Sequence, residues 1–156
     1  MSPRSLISKL IVLLCGIFAF AMSPAVAQTA TPAAVAPDLE NVLVLDLSTG
    51  GRVTIQMYPT DAPAHVERIK ALTRQGFYNG IVFHRVIDGF MAQTGDPTGT
   101  GQGGSELPDL KAEFNRIPHL RGTVSMARTN EPDTANSQFF ICFQPRFNLD
   151  NKYTVF

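Results

Sequence analysis

Short apolar and β-branched segments, separated by turns that contain glycine or proline, make up most of the chain after residue 38. The 12 glycines and 11 prolines recur too often for long helices, because both residues are poor helix formers. Brief apolar runs bounded by turn residues are instead typical of β-strands. The chain is therefore expected to fold as a mainly β domain, an antiparallel sheet or barrel, and not as a helical bundle.

The predicted elements follow one another along the chain. Two strands, Asn41–Leu47 and Arg52–Tyr58, form a hairpin around a turn with two glycines. A helix is predicted over Pro63–Gln75, where an apolar stripe recurs at helical spacing. Asp61 and Pro63 mark its start, and Gly76 marks its end. Further strands are predicted at Ile81–Ile87, Phe90–Gln93, Gly122–Ala127 and Gln138–Phe143. A glycine-rich loop is predicted at Gly95–Pro108.

The first 27 residues have the layout of a cleaved secretory signal. Arg4 and Lys9 supply positive charge, an apolar run follows, and Ala25-Val26-Ala27 fits the cleavage pattern. The apolar run is shorter than the roughly 18–20 residues that span a bilayer, so we expect cleavage before Gln28 and no membrane contact afterwards. Residues 28–37 are small and uncharged and predict a flexible tether. The folded domain, residues 38–156, is expected in the periplasm, with outright secretion as the alternative.

Charge and cysteine content argue against a nucleic-acid-binding protein and against a protein stabilised by disulfides. Arg4 and Lys9 leave with the signal, so the 13 acidic side chains outnumber the remaining basic ones by two. A slightly acidic chain does not suit the phosphate backbone, and no nucleic-acid partner is expected. Cys15 also leaves, and the remaining Cys142 lies in an apolar run that predicts a buried strand. A single thiol cannot form an internal disulfide, and the apolar run predicts that Cys142 is a buried structural residue. The chain is expected to be a monomer.

Residue spacings typical of metal or covalent catalysis do not occur in the sequence. His65, His84 and His119 lack the spacing of metal ligands. Ser125 does not lie in a nucleophile elbow. The glycine-rich run at Gly99–Gly104 lacks the lysine and hydroxyl residue that end a phosphate-binding loop. The sequence therefore predicts neither a metal nor a cofactor.

An arginine within an apolar, strand-like segment is the remaining candidate for chemistry. Strand alternation places Arg85 on the same face as Phe83 and Ile87. A guanidinium on an apolar face is costly unless it is paired or used. On these grounds alone, Arg85 is either a functional group or one half of an ion pair with Asp88 or Asp96.

Three long motifs carry a resemblance to a known family: FHRVIDGFMAQTGDPTGTGQGG, GTVSMAR and NSQFFICF. From about residue 41 to residue 156 the chain resembles the cyclophilins, a family of peptidyl-prolyl cis/trans isomerases. The resemblance implies an eight-stranded antiparallel barrel capped by two helices, with the site in a groove on its outer surface. Tyr153–Phe156 resemble the start of a strand with no partner. The chain is therefore expected to be truncated, with the final strands and the second helix beyond residue 156.

The resemblance also assigns a set of site residues. Arg85 matches the catalytic arginine, and Gln93 matches the glutamine that hydrogen-bonds the substrate backbone. The proline pocket of the family corresponds to Phe90, Met91, Phe140 and Leu149, and the second glutamine of its groove corresponds to Gln138. The backbone beside the peptide corresponds to Ala127 and Arg128, and the pocket rim corresponds to Tyr153.

Three positions depart from the family pattern. Arg128 stands where asparagine is usual, and Tyr153 replaces a histidine. Asn148 stands where many members have tryptophan or phenylalanine, and Phe147 is one register away. The tryptophan position matters for cyclosporin, so only weak binding of that drug is expected.

The function implied by the resemblance is cofactor-free isomerisation of X–Pro bonds in unfolded or newly exported polypeptides. No covalent bond needs to break, and the enzyme need only bind the twisted amide more tightly than either planar form. The resemblance places Arg85 as the donor to that twisted amide. The alternative is a chaperone module that binds proline-containing peptides in the same groove without significant turnover.

Overall fold

The structure is a computed structural model that describes residues 38–156. The predicted signal and tether, residues 1–37, lie outside these residues. Six strands and one α-helix are present in this part of the chain. They are β1 Val42–Asp46, β2 Arg52–Gln56, α1 Pro63–Arg74, β3 Arg85–Ile87, β4 Met91–Thr94, β5 Val124–Met126 and β6 Phe139–Cys142, with short 3-10 turns at Leu39–Asn41 and Phe147–Leu149.

The first two strands form the predicted antiparallel hairpin, in which Leu43 pairs with Ile55. Both of these side chains are buried, while their neighbours along each strand alternate toward solvent. The turn needs a left-handed residue, and Gly50 adopts a φ of 86° there. The hairpin prediction is therefore confirmed, although β1 is one residue shorter than predicted at each end and β2 ends at Gln56 instead of Tyr58.

The helix is also confirmed, and its apolar stripe faces the main core. Val66, Ile69 and Leu72 are all buried. Val66 and Ile69 share that core with aromatic side chains from β6 and the last residue, Phe139 and Phe156. These two rings meet edge to face at a centroid distance of 5.9 Å. Helix and strands are thus joined by one apolar cluster.

The second sheet has four antiparallel strands in the order β3-β4-β6-β5. The strand predicted at Ile81–Ile87 is regular only from Arg85 onward, and Phe90 lies in the turn before β4. Residues 81–84 do not join the strand ladder, and Val82 is held by a side chain instead. The Thr94 hydroxyl donates a hydrogen bond to the Val82 carbonyl at 3.0 Å. The two later strands were predicted at the right places and are likewise shorter than expected.

The prediction that Tyr153–Phe156 would have no partner is wrong. Val155 pairs antiparallel with Ser125, so this segment continues the sheet beyond β5. The Met126 amide donates to the Thr154 carbonyl at 3.0 Å. At the far end, the Tyr58 amide donates to the Phe156 carbonyl at 2.5 Å. The segment thereby links the second sheet to the residues after β2.

The mainly β class with antiparallel sheets is confirmed. Within residues 38–156 the strands form two separate sheets and not one closed barrel, and α1 is the single α-helix. Eight strands and two capping helices stay predictions of the resemblance. None of the helices in this part of the chain is long and apolar enough to cross a membrane.

A second, smaller apolar cluster lies on the four-stranded sheet. It contains Met91, Phe140, Cys142 and Leu149, all buried. Cys142 is a free thiol, and burial raises its pKa to about 11, so it stays protonated near neutral pH. The prediction of a buried Cys142 is confirmed. The remaining members of this cluster form the floor of the site described next.

Candidate active site

A cavity of about 110 Å³ opens on the smaller apolar cluster. Strands β3, β4 and β6, the turn between β3 and β4, and the loops after β5 and β6 contribute its lining. The lining residues are Arg85, Phe90, Met91, Gln93, Ala127, Arg128, Phe140, Leu149 and Tyr153. The structure thus brings nine of the ten residues singled out from the sequence to one place. The tenth, Gln138, hydrogen-bonds Gln93 and faces the neighbouring groove.

The floor of the cavity is apolar and small. Met91, Phe140 and Leu149 are 1%, 4% and 9% exposed. Tyr153 packs edge to face on Phe140 at a centroid distance of 5.6 Å, which closes one wall. Pockets for drug-sized ligands measure about 300–1,000 Å³. A cavity of about 110 Å³ suits a single small ring instead.

The opposite wall is polar, and sheet register explains how its groups meet. Arg85 in β3 lies directly opposite Gln93 in β4. The Arg85 Nη1 donates to Gln93 Oε1 at 3.3 Å, and Gln93 Nε2 donates to Gln138 Oε1 at 2.8 Å. Gln138 Nε2 in turn donates to the Gly103 carbonyl at 2.8 Å. This chain of hydrogen bonds fixes the Gln93 amide with its oxygen toward the guanidinium.

One glycine allows this close approach of strands. Gly95 follows β4 with a φ of 91°, a backbone conformation that side chains with a Cβ rarely adopt. A Cβ on Gly95 would lie only 2.3 Å from the Ser137 carbonyl oxygen. The Ser137 hydroxyl donates to the Gly95 carbonyl at 2.7 Å. The absence of a side chain therefore lets Gln138 sit beside Gln93.

The ion pair considered for Arg85 is not formed in residues 38–156. Arg85 is exposed, so its guanidinium does not pay the cost of apolar burial. Asp96 is buried and accepts hydrogen bonds from the amides of Thr98, Thr100 and Gly101. Burial by itself would raise the pKa of Asp96, but hydrogen bonds from the Thr98 hydroxyl and from the amides of Thr98, Gly103 and Gly101 outweigh it and hold that pKa below its usual range. Asp96 thus stabilises the glycine-rich loop and does not pair with Arg85, whose guanidinium lines the cavity.

A buried network behind Phe140 was missed by reasoning from the sequence. The Ser125 hydroxyl lies 2.8 Å from His119 Nε2, and His119 Nδ1 lies 2.8 Å from Asp150 Oδ1. The His119 ring stacks on Phe140 at a centroid distance of 6.3 Å. Ser125 is fully buried, so this network cannot act as a nucleophile on a peptide. It supports the cavity floor, and Asp150 directly follows Leu149.

Arg146 is a second residue missed from the sequence. Its Nη2 donates to the Gly89 carbonyl at 2.5 Å, and its guanidinium lies 5.2 Å from the Phe90 ring centroid. Both contacts hold the turn between β3 and β4 in place. No local sequence signal indicates them, because Arg146 is 57 residues from Gly89.

Metal-binding chemistry has no counterpart in the described part of the chain. Residues 38–156 contain no group of three or more histidine, cysteine, aspartate or glutamate side chains that could hold a metal ion. His65 and His119 instead pair with Glu113 and Asp150.

Comparison with known proteins agrees with this geometry. The family model described as "Cyclophilin type peptidyl-prolyl cis-trans isomerase/CLD" matches residues 44–156. The chain belongs to this family. The prediction of a cyclophilin-type peptidyl-prolyl isomerase, an enzyme family, is thereby confirmed.

Bacterial peptidyl-prolyl cis-trans isomerases are among the relatives. A probable peptidyl-prolyl cis-trans isomerase of Brucella suis is 48% identical over 146 residues, which cover 86% of this chain and 72% of the relative. A peptidyl-prolyl cis-trans isomerase of Synechococcus elongatus is 46% identical over 106 residues, covering 68% of this chain and 72% of the relative.

Solved cyclophilin structures have the same fold. A cyclophilin from Hirschia baltica superposes with a TM-score of 0.67 at 30% identity, and the match covers 78% of this chain and 63% of that one. A Cryptosporidium parvum cyclophilin, crystallised in the presence of the dipeptide Ala-Pro, gives a TM-score of 0.70 at 31% identity. That match covers 74% of this chain and 75% of the other.

Proposed function

We propose that this cyclophilin accelerates cis–trans rotation of X–Pro bonds in unfolded or newly exported polypeptides. The observation that supports the proposal is a small apolar cavity with an exposed arginine guanidinium on its polar wall. The floor suits a proline ring, and Arg85 and Gln93 can face the peptide group attached to it. The activity requires no cofactor, because no bond is broken.

The chemistry follows from the nature of the X–Pro amide. Its rotation barrier is about 18–20 kcal/mol because the nitrogen lone pair is delocalised into the carbonyl. As the amide twists, the prolyl nitrogen regains that lone pair. A hydrogen bond from Arg85 to this nitrogen is available mainly in the twisted state, so it lowers the barrier without tightening ground-state binding. Gln93 would hold the peptide on one side of the bond while the other side rotates.

A single peptide titration tests the proposal. A short Ala-Pro peptide has slowly exchanging cis and trans proton signals. Adding the chain is expected to bring these signals into exchange on the NMR timescale at concentrations far below that of the peptide. If peptide signals shift saturably while the exchange rate does not change, the chain is the binding module without turnover and the enzymatic proposal fails.

We also propose that the chain is exported through a cleaved signal and acts as a monomer in the periplasm, with secretion as the alternative. The charge and apolar pattern of residues 1–27 supports export. We propose that the two sheets and α1 belong to the eight-stranded barrel with two helices that the resemblance implies. The pairing of Val155 with Ser125 supports it, because this pairing adds a further segment to the edge of the four-stranded sheet.

Cyclosporin is expected to bind weakly. Asn148 is exposed in the 3-10 turn whose next residue, Leu149, lines the cavity. An amide at this point offers little apolar area to a hydrophobic macrocycle. Replacing Asn148 by tryptophan is expected to tighten cyclosporin binding about tenfold, since burying an aromatic ring contributes on the order of 1–2 kcal/mol. Isothermal titration calorimetry measures the cyclosporin affinity of both proteins. Equal affinities would contradict the assignment of Asn148 to the cyclosporin-binding position.

A further inference from the structure

The side chain of Arg128 makes an unusual set of contacts at the cavity rim. Its Nε and Nη2 donate to the Lys152 carbonyl at 3.0 Å and 2.7 Å. Its Nη1 donates to the carbonyls of Thr129 and Asn130 at 2.8 Å and 3.1 Å. The guanidinium therefore ties the loop after β5 to the segment that carries Tyr153.

The same guanidinium lies on the cavity wall. It is 4.5 Å from the centroid of the Tyr153 ring, close enough for a cation–π interaction. Tyr153 in turn contacts Phe140 edge to face. Arg128 thus holds the aromatic wall against the floor of the cavity, and it lines the cavity itself.

The hydrogen bonds of Arg128 do not neutralise its charge. All four hydrogen bonds go to backbone carbonyls, those of Lys152, Thr129 and Asn130, and within residues 38–156 neither Arg128 nor Arg85 forms an ion pair. The cavity lining contains these two arginines and no acidic side chain. Asp150, beside the lining residue Leu149, is held by His119. The groove therefore presents two unpaired positive charges to a bound peptide.

We propose that Arg128 is a specificity-determining residue that makes this cyclophilin prefer X–Pro segments with an acidic side chain next to the proline. The inference rests on the proposed function and names the substrate class of the same site. An anionic side chain near two guanidinium groups at a half-exposed rim gains attraction that a neutral one lacks. Because the Arg128 guanidinium already makes four hydrogen bonds to backbone carbonyls, it influences a bound peptide through its positive charge and through the position of the Tyr153 ring.

The experiment compares peptides that differ in one side chain. Peptides Ala-X-Pro-Ala, with X as glutamate, glutamine or lysine, are titrated into the full chain, and both exchange rate and affinity are measured by NMR. The glutamate peptide is expected to have a kcat/KM about threefold to fivefold above that of the glutamine peptide, with lysine lowest. The difference is expected in KM and not in kcat, and it should shrink at high salt.

Variants assign the preference to Arg128. In Arg128→Gln the glutamate-to-glutamine ratio is expected to fall by about half or more, leaving only the contribution of Arg85. Arg128→Lys should keep most of the ratio, because the charge remains. Arg116→Gln is the matched control, since Arg116 is exposed and outside the cavity lining. Each ratio compares two peptides on one protein, so a smaller folded fraction cancels.

The outcomes separate this inference from the proposed function. An unchanged ratio in Arg128→Gln, or a wild-type ratio near one at low salt, overturns the specificity role. If no peptide is turned over, the proposed function fails. The affinities still test the charge preference in that case: tighter binding of the glutamate peptide that depends on Arg128 supports it, and equal binding overturns it. If Arg128→Gln does not fold, the wild-type ratio at low and high salt decides.

Discussion

Replacement of Arg85 by alanine is expected to lower kcat/KM for an Ala-Pro peptide by a factor of about 100 to 1,000, the usual cost of removing one donor that acts on the transition state. The guanidinium would contact the prolyl nitrogen only when the amide is twisted, so peptide affinity should change little. Arg85 is exposed, and within residues 38–156 its side chain makes one hydrogen bond, to Gln93 at 3.3 Å, so the fold of this part should not depend on it.

Two further variants sharpen this test. Arg85→Lys keeps the positive charge but loses the planar guanidinium that donates to Gln93 and would also reach the peptide, so most of the loss should remain. Arg116→Gln removes an exposed arginine outside the cavity and should leave the rate unchanged. NMR exchange rates and peptide affinities are measured for each protein. If Arg85→Ala retained the wild-type rate, another group would have to stabilise the twisted amide, and the proposed mechanism would be wrong.

The parts of the fold that the sequence predicted well are those determined by neighbouring residues. The hairpin depends on a glycine turn between two β-branched runs, and α1 depends on an apolar stripe that begins at a proline. Strand ends were less accurate because pairing partners decide them. Residues 81–84 have strand-like side chains, but no strand of the sheet pairs with them.

The candidate site divides in a similar way. Long motifs indicated ten candidate residues, and nine of them line one cavity. The supporting contacts could not be predicted, since they join residues far apart in sequence: His119 reaches Asp150, 31 residues away, and Arg146 reaches Gly89. The partner of Tyr153–Phe156 was missed for the same reason. Single histidines and serines also carry no local signal that distinguishes a buried network from a ligand.

The start of α1 shows such a long-range contact directly. Asp61 does not cap the helix, and the N-cap position, Ala62, offers no side-chain acceptor. Glu113 caps it instead from a distant loop, accepting from the amides of Ala64 and His65 at 3.1 Å each. The same carboxylate lies 2.6 Å from Nδ1 of the fully buried His65. One side chain therefore satisfies three donors that would otherwise be left without a partner.

Removal of this carboxylate in Glu113→Ala is expected to lower the free energy of unfolding at pH 7 by about 2–4 kcal/mol, because a helix cap and the partner of a buried histidine are lost together. Glu113→Gln keeps one acceptor oxygen and should cost roughly half as much. Glu131→Ala, at an exposed glutamate, is the control and should stay within about 0.5 kcal/mol of wild type. Urea titrations measure all four proteins, and a Glu113→Ala protein as stable as wild type would contradict the capping role.

Acidification provides an independent test of the contact between Glu113 and His65. The direction in which stability changes with pH follows from the pKa shifts of both residues. Burial lowers the pKa of His65 below 6.5 and outweighs the attraction of Glu113, so the unfolded chain takes up this proton first and stability falls below about pH 6.5. Partial burial works to raise the pKa of Glu113, but hydrogen bonds from His65 and the Ala64 amide lower it below 4.5. The stability that the Glu113 carboxylate supplies is therefore complete above pH 4.5 and is lost as the pH falls through its folded-state pKa. Consequently, the deficit of Glu113→Ala relative to wild type should shrink below pH 4.5, while a constant deficit across that range would show that the carboxylate charge is not what holds the helix start.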